Sequence, residues 1–456
     1  MSNIGFIRAA SALLARASLA VQAGLTFGGK RNVDEALGYT NNITLEQYDN
    51  RYKRNGVARK VVNILPKATW RGATLDLVEN DDPKNPTPFE NEWKELSKRL
   101  KISTVFKRAD CVAGLGNYSV ILIGAPGPAE TPLPSPLKAE DISFLSIYKQ
   151  KDAGIESYIS DVEDVRYGLP AYYNLKKSIT IDNSTVKTRQ LGRTHWSRII
   201  HISDGLLDDE LMGTPRLECV WNFLDDYDKV RGGGAESFWM TAQPGTQFDL
   251  DKDAKLTPEA QEDMEAEIDE WHHALRRVVQ TKGVKMTQTQ ASAIDFKGPC
   301  DTILTAIASS IDVPQRIFLG SERGELASSQ DRAQWVETIQ DRRNEFAEPY
   351  VVNQLVDRLI EHKALTEPKE YSVRWPEIFD ISMTERLDMA DKMASINQKN
   401  GDIVMTPEEI RDRALGWDPL DEADLDELLD RRQAEIEAVT VAEPPAPGAE
   451  EEAAVA

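Results

Sequence analysis

Nowhere in these 456 residues does an uncharged apolar run approach the roughly 18 residues that a membrane-spanning helix needs. Cysteine is scarce. Cys111, Cys219 and Cys300 are odd in number and far apart, so they form neither a disulfide framework nor a CxxC metal pair. Buried thiols in a reducing compartment are the expectation. A GxxxxGK[ST] nucleotide loop is missing, because Gly28-Gly29-Lys30 lacks the leading glycine, the spacing and the hydroxyl residue. HExxH, GxSxG and clustered Cys/His sets are absent too. His272 and His273 are neighbours on an expected helix, where adjacent side chains diverge, so they make no joint metal site. No cofactor and no metal is expected.

A basic surplus is also lacking. Net charge is −22, of which residues 418–456 carry −11 and residues 249–270 carry −8. The remainder is nearly neutral, which excludes a chain that grips nucleic acid through a broad basic surface. Apolar content of 41% and charged content of 29% are ordinary for globular proteins, and the length allows two or three cores. Residues 9–25 are small and apolar, and Val21-Gln22-Ala23 resembles a processing site. Arg16 interrupts that stretch and the basic start is thin, so a mobile N-terminal arm over 1–30 is expected instead.

Residues 31–213 read as mixed α+β. Phe89, Trp93, Leu96 and Leu100 make a helical stripe, and a second helix is expected over 103–112. Gly114 and Gly116 then break into 118–123, a buried-strand pattern, and 125–136 is a proline-rich surface loop. Short strands are expected at 142–148, 171–175, 178–181, 186–191 and 198–202; their spacing favours an antiparallel sheet. Thr214 as N-cap and Pro215 at the first helical position open a helix to about 240. Within it Gly232-Gly233-Gly234 implies either a break or a close approach of another helix. Strands at 247–250, 284–287 and 293–296 flank an acidic helix from Thr257, lined on one side by Met264, Ile268, Trp271, Leu275 and Val278.

The most informative stretch is Pro299–Lys363. Ile303, Leu304, Ile307 and Ile311 form a buried helical stripe that Pro314 stops. Gly320–Gln330 has no apolar period and reads as an exposed loop. Trp335, Val336, Ile339, Phe346, Tyr350, Leu355 and Leu359 then resume helical spacing. Pro349 lies inside this pattern, removing a donor and crowding the carbonyl of Glu345, so a kink rather than an end is expected. Tyr371–Trp375 reads as a returning strand. Ser382/Glu385 and Thr406/Glu409 are capping boxes for two further helices, with a third over 422–438. The Pro- and Glu-rich segment from 439 cannot bury a core.

The order of a short helix, the turn Val313-Pro-Gln-Arg-Ile-Phe-Leu-Gly320, a polar loop and a proline-kinked helix resembles the second half of tailed-bacteriophage portal proteins. Tyr48–Trp70 resembles their entry segment, and Gly213–Glu218 leads into a helix ending at Phe238-Trp239-Met240 as theirs does. The resemblance implies a wing at 31–213, stem helices at 214–241 and 299–316, and a clip at 242–298. A tunnel loop at 317–331 follows, then a kinked helix returning to the wing at 332–381, a helical crown at 382–438 and an acidic tail at 439–456. It implies a homo-oligomeric ring, usually of twelve, through which double-stranded DNA is packaged and ejected. The partners so implied are the terminase large subunit, head–tail adaptors, and capsid and scaffolding proteins, at the portal vertex of a virion assembled in the host cytoplasm, with no membrane. Ser321, Glu322, Arg323, Gly324, Glu325, Ser328 and Ser329 would face DNA, and Glu262, Glu265, Asp269 and Trp271 would dock motor or adaptor.

Two other readings stand beside it. One is a different head–tail structural protein, such as an adaptor. The other is a two-histidine phosphoesterase built on His195-Trp-Ser197 and His201-Ile-Ser203, whose histidines would act as acid and base. Those motifs are six residues apart, where such enzymes place them on separate strands. Asp208-Asp209 and Asp225-Asp226 read as solvated faces or caps.

Overall fold

The computed structural model describes residues 32–72, 75–80, 85–181, 185–242, 246–250, 257–259, 262–263, 266, 268, 284–288, 295–320, 325–378, 383–400, 404–417 and 431. The chain divides into two compact units, residues 1–378 and 379–456. The described residues are mixed α+β, and every strand pair among them is antiparallel.

Unit 1 starts with three helices, α1 (Val33–Leu37), α2 (Leu45–Arg54) and α3 (Gly56–Thr69). Strand β1 (Asp76–Val78) precedes α4 (Pro88–Leu100), which opens on a reciprocal capping box between Thr87 and Glu90. Its Phe89, Trp93 and Leu96 are buried on one stripe, as their spacing predicts. Lys101, at φ 53°, turns the chain directly into α5 (Ile102–Ala113). Strands β2 (Ser119–Gly124), β3 (Phe144–Lys149), β4 (Ala153–Tyr158), β5 (Pro170–Ile181), β6 (Thr185–His195) and β7 (Ile199–Ile202) follow. They form two three-stranded sheets, ordered β3-β2-β7 and β4-β5-β6.

Strand β2 is buried on both faces, which explains why it reads as a continuous apolar run. Ile121 and Ile123 join the larger core with α4 and α5, while Val120 and Leu122 join a second core with Tyr173 and Leu175. The two strands expected at 171–175 and 178–181 are one strand, β5. The irregularity that divides them on paper is a register shift between Leu175 and Lys176.

Helix α6 (Trp221–Ala242) begins six residues later than the Thr214-Pro215 signal predicts. Residues 216–220 form turns instead, with Glu218 N–H donating to the Pro215 carbonyl, because Arg216 is committed elsewhere. The glycine triplet does not break α6. Gly234 is buried, whereas Gly232 and Gly233 are exposed. Strands β8 (Thr246–Leu250) and β9 (Val284–Gln288) pair with each other. The expected strand at 293–296 is not formed at its described end, since Phe296 caps α7 (Lys297–Ser310). Asp312, at φ 53°, separates α7 from a short helix, α8 (Gln315–Leu319), capped by Pro314. The stop therefore falls before Ile311, and the segment expected as a turn contains a helix.

The next helix, α9 (Glu325–Arg342), starts inside the span expected as a loop to Gln330. It continues through a π-helical stretch, Arg343–Val352, into α10 (Asn353–Glu361). Pro349 sits in the π stretch, where Asn353 N–H donates to the Glu348 carbonyl five residues back. Widening the ladder accommodates a residue that has no N–H and crowds the preceding turn, so the buried stripe of Trp335, Ile339, Phe346, Leu355 and Leu359 runs on. Strand β10 (Ser372–Arg374) returns to pair with β1.

Unit 2 contains α11 (Met383–Asn400), α12 (Pro407–Ile410) and a π turn, Arg411–Leu415. The Thr406/Glu409 capping box is present: Thr406 N–H donates to Glu409 Oε2 at 2.9 Å and Glu409 N–H to Thr406 Oγ1 at 3.2 Å. Arg386 Nη1 donates to the Leu415 carbonyl at 2.8 Å, tying the turn to α11. Ser382, the expected helix at 422–438 except Arg431, which is helical, the 1–30 arm and the 439–456 tail lie outside the described residues.

Candidate functional site

Helices α6 and α7 run antiparallel. Cys219, just before α6, has its Sγ 3.8 Å from the Ser310 carbonyl at the end of α7. At the opposite end Phe238 meets Phe296 edge-on, with ring centroids 5.6 Å apart. The segment bearing β8 and β9 is attached at that second end. Beside it Phe238 and Trp239 are exposed, Trp239 to 67%.

Acidic residues anchor the first half of α6. Asp225 pairs with Arg51 at 2.6 Å, Asp226 accepts from the Tyr39 hydroxyl at 2.5 Å, and Asp228 accepts from Asn55 Nδ2 at 3.0 Å. The hydrogen bond to Asp226, with burial, pushes the Tyr39 phenol up to about 12. Arg51 also lies 4.3 Å over the Trp221 ring. Asp225 and Asp226 are thus clamps on α2 and on Tyr39, just past α1, rather than a solvated face.

Where these helices leave the sheet body, four charged groups meet in the interior. Asp110, on the buried face of α5, has no solvent exposure. Arg342, at the end of α9, grips it with both nitrogens, Nη1 to Oδ2 at 2.9 Å and Nη2 to Oδ1 at 2.8 Å. Arg216 Nη2 donates to Asp110 Oδ1 at 2.5 Å, and Trp70 Nε1 to Oδ2 at 2.7 Å. Asp204, beyond β7, accepts from Arg216 Nε and from Arg342 Nη2, each at 3.0 Å. Two carboxylates and two guanidiniums balance, and bidentate arginine geometry makes such pairing strong. Burial pushes the Asp204 carboxyl up, but Arg216 and Arg342 outweigh it and hold the group well below the usual range. Burial likewise opposes the charge on Arg216, while Asp204 and Asp110 raise its pKa above normal. The neighbouring Arg343 is buried and donates to the Thr69 and Pro376 carbonyls at 3.2 and 2.9 Å. Burial lowers its pKa to about 10.

The histidine motifs do not assemble an acid–base pair. His201 is spent at both nitrogens, Nδ1 on the Tyr173 hydroxyl at 3.0 Å and Nε2 on the Leu211 carbonyl at 2.9 Å. Burial lowers its pKa to about 4. His195 Nδ1 accepts from the Ser197 hydroxyl at 2.8 Å and from Ser197 N–H at 3.2 Å, capping a short 3₁₀ turn. Ser203 is buried, and Asp209 caps Leu211 and Met212 through their N–H groups. Cys300 is buried, but Cys219 is exposed, contrary to the expectation of three buried thiols; all three are free. Among the described residues no cluster of His, Cys, Asp and Glu could hold a metal, and no helix is long and apolar enough to cross a membrane.

Of the residues implied to face DNA, Glu325, Ser328 and Ser329 fall in the first turns of α9, and Ser321, Glu322, Arg323 and Gly324 lie outside the described residues. Glu262 is helical and exposed, while Glu265, Asp269 and Trp271 lie outside.

The family model described as phage portal protein matches residues 46–399, most of the chain. The chain belongs to that family. No curated protein matches it in sequence. Solved structures similar to this portal chain come from gene transfer agent particles. A chain in the virion of the native particle is 13% identical with a TM-score of 0.51, covering 83% of this chain and 95% of that one. One in the neck of the empty particle, computed with C6 symmetry, is 13% identical with a TM-score of 0.53 and the same coverage. One in the neck of the native particle, computed with C12 symmetry, is 14% identical with a TM-score of 0.50, covering 81% and 92%. The fold of this portal protein is therefore shared with chains of particle necks.

Sequence reasoning missed the four-charge junction. Its members span residues 110 to 342 and belong to no local motif. One signal was present: Asp110 falls on the stripe of Ile102, Phe106 and Ala113, where a lone carboxylate must find partners.

Proposed function

We propose that this portal protein assembles into a closed ring of twelve copies at one vertex of a capsid, through which double-stranded DNA is packaged and later ejected. The observation that carries this reading is the antiparallel pair α6/α7, held to the sheet body by the charge junction and bearing a small β8–β9 insert at its far end. In it, residues 31–213 are the wing, 214–241 and 299–316 the stem lining the conduit, 242–298 the clip, 317–331 the tunnel segment, 332–381 the kinked helix and its return, and 382–438 the crown. The C12 symmetry of a similar neck supports the subunit number.

A cyclic ring needs two different faces on each protomer, and the exposed Phe238 and Trp239 suit the crowded end of such a stem. Glu262, Glu265, Asp269 and Trp271 of the clip would receive the terminase motor and then the adaptors, and the wing and crown would meet capsid and scaffolding proteins. The near-neutral body suits passage of DNA, because each cation placed on a phosphate adds affinity that slows sliding. Catalysis is left to the motor; the two occupied nitrogens of His201 and the occupied Nδ1 of His195 support a purely structural role. Negative-stain microscopy of the purified protein tests the reading. Twelvefold rings with a central hole are expected, and a stable monomer under all assembly conditions would overturn it.

A further inference from the structure

Unit 2 has almost no interior of its own. Among its described residues only Ala414 is buried, and no described side chain of α11 is. Helices in proteins draw most of their stability from packing an apolar face, so α11 needs cover that the described part of its own unit does not complete. At 3.6 residues per turn, three of its faces can be told apart. The first meets its own unit. Arg386 Nη1 donates to the Leu415 carbonyl, and Asn397 Nδ2 donates to the Met405 carbonyl at 2.6 Å. Asn397 Oδ1 also accepts from the N–H groups of Val404 and Met405, each at 2.9 Å.

The second face carries Met383, Leu387 and Ala394, all exposed, Leu387 to 50%. Their spacings of four and seven residues put them on one stripe. The third carries Ile396, exposed to 38%, and the half-buried Met389 seven residues before it. Leu387 and Ile396 are nine positions apart, about two and a half turns, so they point to opposite sides of the helix. Polar residues, Thr384, Asp388, Asp391 and Ser395, fill the side that remains.

Two apolar faces on opposite sides select the occupant. A partner of another kind would cover one of them. A row of identical helices covers both, because each copy offers its second face to the third face of the next, the heterologous contact that a closed ring needs. In a ring of twelve, a helix standing along the axis has its two neighbours about 150° apart around it. Around α11, Met383 and Leu387 lie about 140° and 180° from Ile396, which brackets that angle. Cyclic symmetry also keeps equal residues at equal height, so the residues that meet must be close in sequence. Ala394 is about 3 Å along the axis from Ile396, and Leu387 the same from Met389.

We propose that α11 is a contact between adjacent copies of this chain, packed side by side along the ring axis, with Ile396 of one copy seated over Ala394 of the next. The alanine leaves the hole that the isoleucine fills, and Met389 of the first copy meets Leu387 of the second. This rests on the reading of the protein as a ring, and it names a surface that joins neighbours outside the stem.

The test uses full-length protein carrying Cys219→Ser, which removes the exposed native thiol. Into it go Ala394→Cys, Ile396→Cys, or both, and each protein is mildly oxidised and run on a non-reducing denaturing gel. Helical positions two apart have diverging Cβ atoms and cannot be bridged within one copy, so any disulfide between them joins two copies. The double variant should give a ladder rising to the full ring that collapses on reduction, while each single variant stays at the mass of one chain. Ring mass is measured in parallel on wild type and variants. Rings of the double variant that yield no ladder would overturn the proposal and leave the portal reading standing. A single variant that dimerises would overturn it too, because that contact is two-fold and not head-to-tail. If the cysteine pair itself blocks assembly, Leu387→Cys with Met389→Cys decides in its place by the same outcomes. Wild-type protein that stays monomeric under all assembly conditions would sink the portal reading, and this contact with it.

Discussion

A Cβ atom placed on Gly234 would lie 2.6 Å from Cδ1 of Phe296, closer than real Cβ atoms pack. The two residues set how closely α6 approaches α7. Of the three glycines in the triplet, one is therefore there for proximity, while Gly232 and Gly233 have nothing within 4 Å of the same position.

Gly234→Ala is expected to destabilise by about 1–3 kcal/mol, the usual cost of overpacking. Gly232→Ala and Gly233→Ala should each stabilise by up to about 1 kcal/mol, through helix propensity alone. Thermal unfolding of the three variants distinguishes them. Combining Gly234→Ala with Phe296→Leu should recover part of the loss, and a Gly234→Ala protein that melts with the wild type contradicts the close approach.

His201 makes stability depend on pH. Burial keeps it neutral, with its pKa lowered to about 4 from the ordinary 6.5. The unfolded chain takes up a proton below pH 6.5 that the folded one refuses until about pH 4. Its contribution is thus fully present above pH 6.5 and lost as pH falls through that window, on the order of 3 kcal/mol in all. His201→Gln should flatten the stability profile between pH 6.5 and 4 in chemical denaturation. An unchanged profile would show that another group carries the dependence.

The segment proposed as the tunnel loop, 317–331, should matter for DNA and not for assembly. Arg323→Glu, and separately a shortening across Glu322–Ser328, are expected to leave ring mass unchanged while altering the length of packaged DNA or its retention. Rings that fail to form, with normal packaging by those that do, would make the segment an assembly contact.

Local patterns were legible in the sequence where one residue's neighbours decide its fate. The Thr406/Glu409 cap, the stripe of Phe89, Trp93 and Leu96, and the doubly buried β2 all follow from spacing, whereas the Thr87/Glu90 cap was not read. The N-terminus of α6 was misread because Thr214-Pro215 is a sound helix start on its own. Tertiary demand overrides it, since Arg216 must reach Asp110 and Asp204 and its backbone turns to allow that. The start of α9 at Glu325 was missed for a different reason: its first turns are polar in sequence, and a polar helix has no apolar period to reveal it. The helix through Pro349 was expected to kink, and its answer is a π-helical ladder. The junction left a single trace, Asp110 on an apolar stripe, because ion pairing between α5, α6's lead-in and α9 follows no period.

That junction yields the sharpest prediction. Arg342 is bound by both carboxylates, and Asp110 by two guanidiniums and an indole N–H. Removing one partner strands a buried charge, so Asp110→Asn or Arg342→Met should each cost about 3–5 kcal/mol. The double variant should cost less than the sum of the two, because each change removes the penalty left by the other. A cycle that sums without coupling would show the pair is not the bond holding α9 to α5. Asp204 adds a pH signature of opposite location to that of His201. Burial pushes its carboxyl up, the two arginines pull it further down, and its folded pKa lies below the ordinary carboxylate value. Its contribution is present above about pH 4 and is lost as pH falls below that. Asp204→Asn should therefore lower stability at pH 7 and weaken the acid dependence below pH 4, leaving the window between 6.5 and 4 to His201. If both variants changed the same window, the two groups would be coupled, and the junction would extend to the Tyr173–His201 pair.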